Sequence, residues 1–344
     1  MKQHINIPIF IPHLGCPNCC VFCNQRTISG VTSFDVSSVK QIIDSSIASS
    51  VGKEREIAFF GGSFTGIDRE LMESLLKIAY EYVMSGEVTG IRCSTRPDYI
   101  SEEVLSILKK YGVKTVELGI QSVSEAVLDE SKRGHNSDSI KQACEFIVGY
   151  DFELVGQMMI GLPKSTLEDE ITTAEFIARC GAKSARVYPT VVFNGTELCE
   201  MAKAGDYTPL SLDDAIYRAA SVCRIFHDNG IKVIRIGLCS SESVLDDENY
   251  YAGPMHPALG ELVENEIYYS IIKEKLNSLG NLNGKEVTVR IPRGAASKAI
   301  GQKKKNKLRL IDDFKLKNIY FAEDDTINAF DELSVQERKR AECI

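Results

Sequence analysis

Six times between residues 5 and 192, a short apolar run rich in β-branched residues is followed by a stretch with helical periodicity. The runs are INIPIFIPH (5–13), EIAFFGG (56–62), GIRCSTRP (90–97), TVELGIQ (115–121), ELVGQMMIGLP (153–163) and SARVYPTVV (184–192). The helical stretches include SSVKQIIDSSIASSV, RELMESLLKIAYEYVM, SEEVLSILKKYG and TLEDEITTAEFIARCG, two of them ending at Gly112 and Gly181. Strands separated by helices cannot pair through hairpins, so they pair in parallel beneath the helices, and the sheet curls into a barrel or partial barrel. The expected fold class is α/β, a partial (β/α)6 TIM-like barrel. A helix over 211–230 and a further strand-like run, IKVIRIGL (231–238), follow, and from about residue 240 the rhythm stops. We expect a barrel over 1–240, a connecting segment over 241–280 and a small α+β domain over 281–344.

With 344 residues, 44% of them hydrophobic and 26% charged, the chain buries a sizeable core. The opening MKQHINIPIFIPHLG lacks the long apolar region of a secretory leader, and no apolar run reaches the roughly 18 residues of a membrane span. The expectation is a cytoplasmic protein with no membrane partner. In a reducing compartment Cys93, Cys144, Cys180, Cys199, Cys223 and Cys239, all inside apolar patterns, are expected to be buried small hydrophobes, and Cys343 a tail thiol.

The remaining four cysteines fall within GCPNCCVFCNQ (15–25), on the first loop after the first strand. In a parallel β/α fold the chemistry sits on loops leaving the C-terminal ends of the strands. Cys16, Cys20 and Cys23 have the spacing C-x3-C-x2-C, which lets one loop offer three thiolates to one face of a four-iron cluster. Three ligands leave one iron open, an arrangement suited to chelating a substrate or cofactor. A zinc site would need a fourth ligand, for which Cys19 or His13 is available, but no second knuckle follows.

C-x3-C-x2-C after the first strand of a β/α series resembles the signature of the radical S-adenosylmethionine (SAM) enzymes. FFGGSFTG (59–66) is similar to that family's glycine motif, in which the backbone at Gly61 and Gly62 approaches the methionine amino group of SAM; Ser63 stands where many relatives have Glu. STRPD (94–98), ELGIQS (117–122), KRGH (132–135) and QMMIGLPKST (157–166) resemble stretches of the catalytic subunit of Elongator and of oxygen-independent coproporphyrinogen oxidase. The resemblance implies that Ser94 lies near the ribose or methionine end of SAM, Gln121 and Gln157 near the ribose hydroxyls, and Arg133 near the carboxylate. It further implies a 4Fe-4S cluster held by Cys16, Cys20 and Cys23, with Cys19 a bystander, and a one-electron reductant such as flavodoxin or ferredoxin. SAM would be cleaved reductively to methionine and a 5′-deoxyadenosyl radical. VYPTVVFNGTELCEMAKAGDYTPLSLDDAI (187–216) is close to the Elongator-type continuation after the barrel. The likeness covers about residues 5 to 240.

Charge is uneven. Residues 281–320 hold eleven Lys or Arg against three acidic residues, a net +8, which leaves −16 on the remainder of a chain whose total is −8. An acidic body with a basic region suggests contact with a polyanion through that region alone. VTVRIPRGAASKAIGQKKKNKLRLIDDFKLKNIYF (287–321) resembles a KH RNA-binding module, whose G-x-x-G loop clamps backbone phosphates. Gly301 matches the first glycine; Lys304 replaces the second; Lys303, Lys304, Lys305 and Lys307 supply phosphate contacts. His256, between two prolines, and Arg235 are further candidates for substrate contact at the barrel mouth, as is His135 beside Arg133, although a lone histidine in either place is more often structural.

Elongator-type enzymes add an acetyltransferase domain after the radical core; we expect none here, so acetyl-CoA chemistry is not carried over. The expected function is a radical SAM enzyme modifying a nucleotide in tRNA or another structured RNA. Two alternatives are a radical SAM enzyme on a small molecule or tetrapyrrole, and an RNA-binding protein whose cluster is structural or redox-sensing.

Overall fold

The computed structural model describes residues 4–11, 15–16, 20–24, 34–238 and 249–338; His13, Cys19, Cys239 and Cys343 lie outside the described residues. Seven strands run parallel in one open sheet, a half-barrel: β1 (His4–Phe10), β2 (Glu54–Phe60), β3 (Gly90–Thr95), β4 (Val113–Gln121), β5 (Glu153–Ile160), β6 (Ser184–Pro189) and, at the far edge, β8 (Lys232–Ile236). The order follows the chain, and the run at 231–238 adds the seventh strand to the six of the repeating rhythm.

Helices bridge each crossover: α1 (Ser38–Ser49), α2 (Arg69–Met84), α3 (Glu102–Lys110), α4 (Glu125–Glu130) with α5 (Ser137–Gly149), and α6 (Leu167–Arg179). Their starts are fixed locally. The Asp68 carboxylate accepts from Leu71 N–H at 3.0 Å, and Thr166 and Asp169 form a reciprocal capping box. Between β6 and β8 come a short strand β7 (Val192–Phe193), α7 (Glu197–Ala204) and α8 (Leu212–Asp228); β7 pairs antiparallel with β9 (Tyr250–Ala252).

The two faces of the sheet differ in chemistry. Ile57, Phe59, Ile91, Cys93, Val116 and Leu118 are wholly buried, which stabilises the fold by roughly 1.5–3 kcal/mol for each large aliphatic or aromatic side chain. At the alternate positions stand Glu56, Arg92, Glu117 and Arg186, whose side chains meet one another. The half-barrel therefore has an apolar exterior under its helices and a polar inner wall. Helix α5 buries Cys144, α7 buries Cys199, and Cys223 is buried in α8, in keeping with small hydrophobes.

Two compact units are distinguished, one of Met1–Ala215 and Ile225–Met255, the other of Ile216–Arg224 and His256–Ile344. The second contains α9 (Leu259–Asn277), α10 (Ala296–Ile300) and α11 (Lys305–Phe314), with the sheet β11–β10–β12 formed by β10 (Glu286–Pro292), β11 (Asn318–Asp324) and β12 (Ser334–Glu337). Strands β10 and β11 are parallel, joined through α10, a turn at Gln302–Lys304 and α11.

Candidate active site at the cysteine loop

The cysteine loop leaves β1 and is pressed, backbone to backbone, against the loop leaving β2. A Cβ on Gly15 would sit 2.0 Å from the Ser63 carbonyl oxygen, and one on Gly66 would sit 2.5 Å from the Gly15 carbonyl oxygen. Neither position tolerates a side chain. Val21 N–H donates to the Ser131 carbonyl at 3.3 Å, Leu198 N–H donates to the Val21 carbonyl at 2.9 Å, and Cys23 N–H donates to the Cys20 carbonyl at 3.0 Å. The described part of the loop is thereby tied by backbone groups to Ser131 and Leu198 and closed on itself by a turn from Cys20 to Cys23.

Cys16 Sγ lies 3.7 Å from Ser63 Oγ. Cys20 is buried, and two guanidinium groups are aimed at its sulfur: Arg133 at 3.3 Å and Arg96 at 3.7 Å. Each arginine is itself held. Arg96 donates to both Asp98 carboxylate oxygens, at 2.9 and 3.1 Å, and to the Arg133 carbonyl, while Arg133 donates to the Gly119 carbonyl at 2.7 Å. Charged N–H donors directed at sulfur suit a sulfur that carries negative charge. Among the described residues no three His, Cys, Asp or Glu side chains converge on a single ion position. Cys16 and Cys23 are half-buried on the same loop.

The remaining sequence-singled residues sit at or near the C-terminal ends of the neighbouring strands. Gly61 has φ +100°, and a Cβ there would meet the Ile11 backbone nitrogen at 3.0 Å, so the β1–β2 packing demands glycine before any ligand is considered. Gln121, at the end of β4 where the register with β5 shifts, has φ 65°, and its Oε1 is buried with no hydrogen-bond partner. Gln157 Nε2 donates to Glu117 at 2.9 Å and to Ser94 Oγ at 3.4 Å. His256, by contrast, accepts the Ala258 N–H on Nδ1 at 3.1 Å at the start of α9, a local structural role in the second unit.

His135 has both ring nitrogens buried without a hydrogen-bond partner. Burial, and then the Arg133 charge, push its pKa down to about 4. A folded-state pKa below the unfolded value near 6.5 means that the stability from keeping the ring neutral is complete above about pH 6.5 and is lost as pH falls towards 4. His135→Gln should therefore flatten the decline in stability between pH 7 and 5, read from denaturation midpoints across that range. A parent and variant with parallel profiles would contradict this assignment.

The inner wall of the half-barrel is the feature that motif reading missed. Glu117 on β4, buried, accepts from Arg92 on β3 at 3.0 Å, from Arg186 on β6 at 2.9 Å and from Gln157 on β5, while Arg92 also donates to Glu56 on β2 at 2.7 Å. Arg186 lies over the Phe60 ring, 5.6 Å from its centroid. A signal was present: charged residues at alternate positions of otherwise apolar strands.

Comparison with known proteins adds a decisive match. The model of the radical SAM superfamily matches residues 10–177, and that of the radical SAM C-terminal domain matches residues 182–269. The chain belongs to the radical SAM superfamily. This radical SAM chain is 27% identical over 228 residues to the tRNA uridine(34) acetyltransferase of Methanocaldococcus jannaschii, covering 60% of this chain and 41% of that protein. It is 31% identical over 191 residues to Elongator complex protein 3 of Mus musculus, covering 48% and 34%. It thus spans less than half the length of either relative. Among solved structures, the archaeal Elp3 of Methanocaldococcus infernus, studied with an N-terminal deletion, superposes with a TM-score of 0.63 at 21% identity, covering 80% of this chain and 64% of that one. The radical SAM protein is an enzyme whose cofactors are a 4Fe-4S cluster and SAM. The donor set fits: three cysteines on one loop, guanidinium groups directed at Cys20, and an orphaned buried acceptor on Gln121. No helix among the described residues is long and apolar enough to cross a membrane.

Proposed function

We propose that this enzyme modifies a nucleotide of tRNA or another structured RNA, with Cys16, Cys20 and Cys23 holding the cluster. When bound, the cluster and SAM supply a reductively generated carbon radical able to take one hydrogen from the substrate. The chain's own residues position and shield. Gly61 and Gly62 let the backbone approach the methionine end of SAM, Ser94 and Gln157 form a polar edge beside it, and Gln121 Oε1 has the unfilled acceptor that a ribose hydroxyl satisfies. The single observation that carries this reading is Cys20, buried on a braced three-cysteine loop beneath two guanidinium groups. The electron comes from a donor of the flavodoxin or ferredoxin kind.

Arg133 stands between Cys20 and the strand end that carries Gln121. If it also meets the SAM carboxylate, Arg133→Ala should weaken SAM binding by about 1.5–3 kcal/mol, the range for a hydrogen bond to a charged group. Titration of cluster-loaded protein with SAM measures this, with iron content as the control. A variant that keeps SAM affinity but loses iron would place Arg133 in the service of Cys20 alone.

The RNA substrate is supported by the second unit. Most of its cations are paired: Lys298 with Glu264 at 2.8 Å, Arg309 with Glu266 at 2.6 Å, and Lys317 with Glu286 at 3.0 Å. The turn after Gly301 is different. Lys303 and Lys304 are exposed and have no acidic partner among the described residues, and Lys307 lies over the Tyr320 ring at 5.9 Å. Gly301 must be glycine, because a Cβ would meet buried Asn306 at 3.0 Å. Lys304, with φ 62°, adopts the left-handed backbone that the second glycine of a G-x-x-G loop would take freely.

Changing Lys303, Lys304 and Lys305 together to Ala should lower the log-log salt slope of tRNA binding by about 2, at roughly 0.7 per single-strand phosphate contact. The function itself is tested by comparing digested RNA from cells with and without the protein by mass spectrometry. One missing nucleoside names the product. An unchanged nucleoside set, with tRNA affinity indifferent to the lysines, would hand the site to a small-molecule substrate.

A further inference from the structure

Three arginines of the inner wall, Arg92, Arg186 and Arg235, stand on β3, β6 and β8 beside two carboxylates, Glu56 and Glu117, and Arg235 lies at the far edge of that row. Strands β6 and β8 pair in parallel with Arg186 directly opposite Arg235. Like charges facing one another across a strand pair are destabilising unless an anion lies between them. Arg186 spends its guanidinium on Glu117, at 2.8 and 2.9 Å, and Glu117 is shared with Arg92, whose other partner is Glu56. Two carboxylates thus serve two of three arginines, and Arg235 has no hydrogen-bond or ion-pair partner among the described residues. The Tyr188 phenol, two residues beyond Arg186, is half-buried, feels the charges of both Arg186 and Arg235, and makes only a long 3.5 Å contact with Arg186.

We propose that Arg235, with Tyr188 OH and the rim of Arg186, forms a subsite for an oxyanion of the substrate. Resting on the RNA reading above, that oxyanion is a phosphate attached to the nucleotide acted on. Among the described residues Arg92 and Arg186 are matched by Glu56 and Glu117 while Arg235 is not, so an anionic ligand matches this edge of the wall better than a neutral one. A phosphate accepts from the planar fork of arginine through two oxygens and from the phenol through a third. Gln157, on the neighbouring strand, links this wall to Ser94, so an anion held here places the attached sugar or base towards the proposed SAM edge.

The test uses the cluster-loaded full chain and two sets of probes: the four nucleoside 5′-monophosphates, and the same nucleosides without phosphate. The parent should bind the monophosphates more tightly than the nucleosides, and Arg235→Gln should weaken monophosphate binding about 10- to 100-fold while leaving the weaker nucleoside binding alone. Arg235→Lys, which keeps the charge and the fold, should recover part of the loss; iron content and thermal midpoint check that both variants fold. Three results overturn the proposal: no preference for the monophosphates in the parent, equal affinities in parent and Arg235→Gln, or a fall in SAM affinity in Arg235→Gln, which would assign the anion to the SAM carboxylate. Phosphate-dependent binding that requires Arg235, in cells whose RNA nucleosides are unchanged, would keep the subsite and dismiss the RNA substrate.

Discussion

Replacing any one of Cys16, Cys20 or Cys23 with alanine removes the iron–sulfur absorbance and, with it, all reductive cleavage of SAM. The parent, purified without oxygen, holds about four irons in this cluster and releases 5′-deoxyadenosine when reduced. The effect is all-or-none because two thiolates cannot retain a cluster that three were needed to seat. Cys20→Ala carries a second consequence, since it also strips the sulfur from beneath the Arg96 and Arg133 guanidinium groups. Its thermal midpoint should fall below those of the Cys16 and Cys23 variants, whose side chains are only half-buried. Cys19→Ala should retain iron and turnover; loss of the cluster in that variant, or one zinc ion in place of iron in the parent, would undo the ligand assignment.

Glu117→Ala should lower the free energy of unfolding by about 3–5 kcal/mol, the cost of leaving a buried charge without its partner. Glu117 is the only carboxylate among the described residues that both Arg92 and Arg186 reach, and it also receives Gln157. Its removal strands two buried guanidinium groups. Glu117→Gln keeps the shape and one acceptor, so its loss should be smaller. Denaturant titration of the two variants, with the slope checked for constancy, measures both. A Glu117→Ala protein as stable as the parent would mean that water or a rearranged Glu56 replaces the lost carboxylate.

How far the sequence could be read depended on whether a signal was local. The strand–helix alternation, the C-x3-C-x2-C loop and the helix ends at Gly112 and Gly181 are written in neighbouring positions, and they were legible. The polar wall left only a trace, charges at alternate positions of apolar strands, and its network was not legible, because Glu56, Arg92, Glu117 and Arg186 are spread over four strands and meet only when the register sets them side by side. Arg96, inside STRPD, went unnamed for a similar reason: its direction towards Cys20, 76 positions away, exists only in the fold. His256 carried two readings in the sequence, a substrate contact and a structural role, and the second was the favoured one. A histidine between prolines is more often structural than reactive, and in the fold its ring accepts a neighbouring backbone N–H at a helix start. The basic stretch from 281 to 320 was legible as charge, but not its extent, since acidic residues outside the stretch, such as Glu264 and Glu266, neutralise several of its members.

The left-handed lysines at 303 and 304 bear on how this protein would change under selection. A non-glycine residue in that conformation is less stable by roughly 1–2 kcal/mol than glycine in the same place, so Lys304→Gly relieves strain while deleting a charge. A laboratory lineage screened only for heat resistance would accumulate glycine there and, if the turn clamps RNA as proposed, shed polyanion affinity without any screen for it. A lineage screened for RNA handling would hold lysine and remain thermally handicapped. The residue found at position 304 in an evolved population would therefore record which of the two demands had been applied.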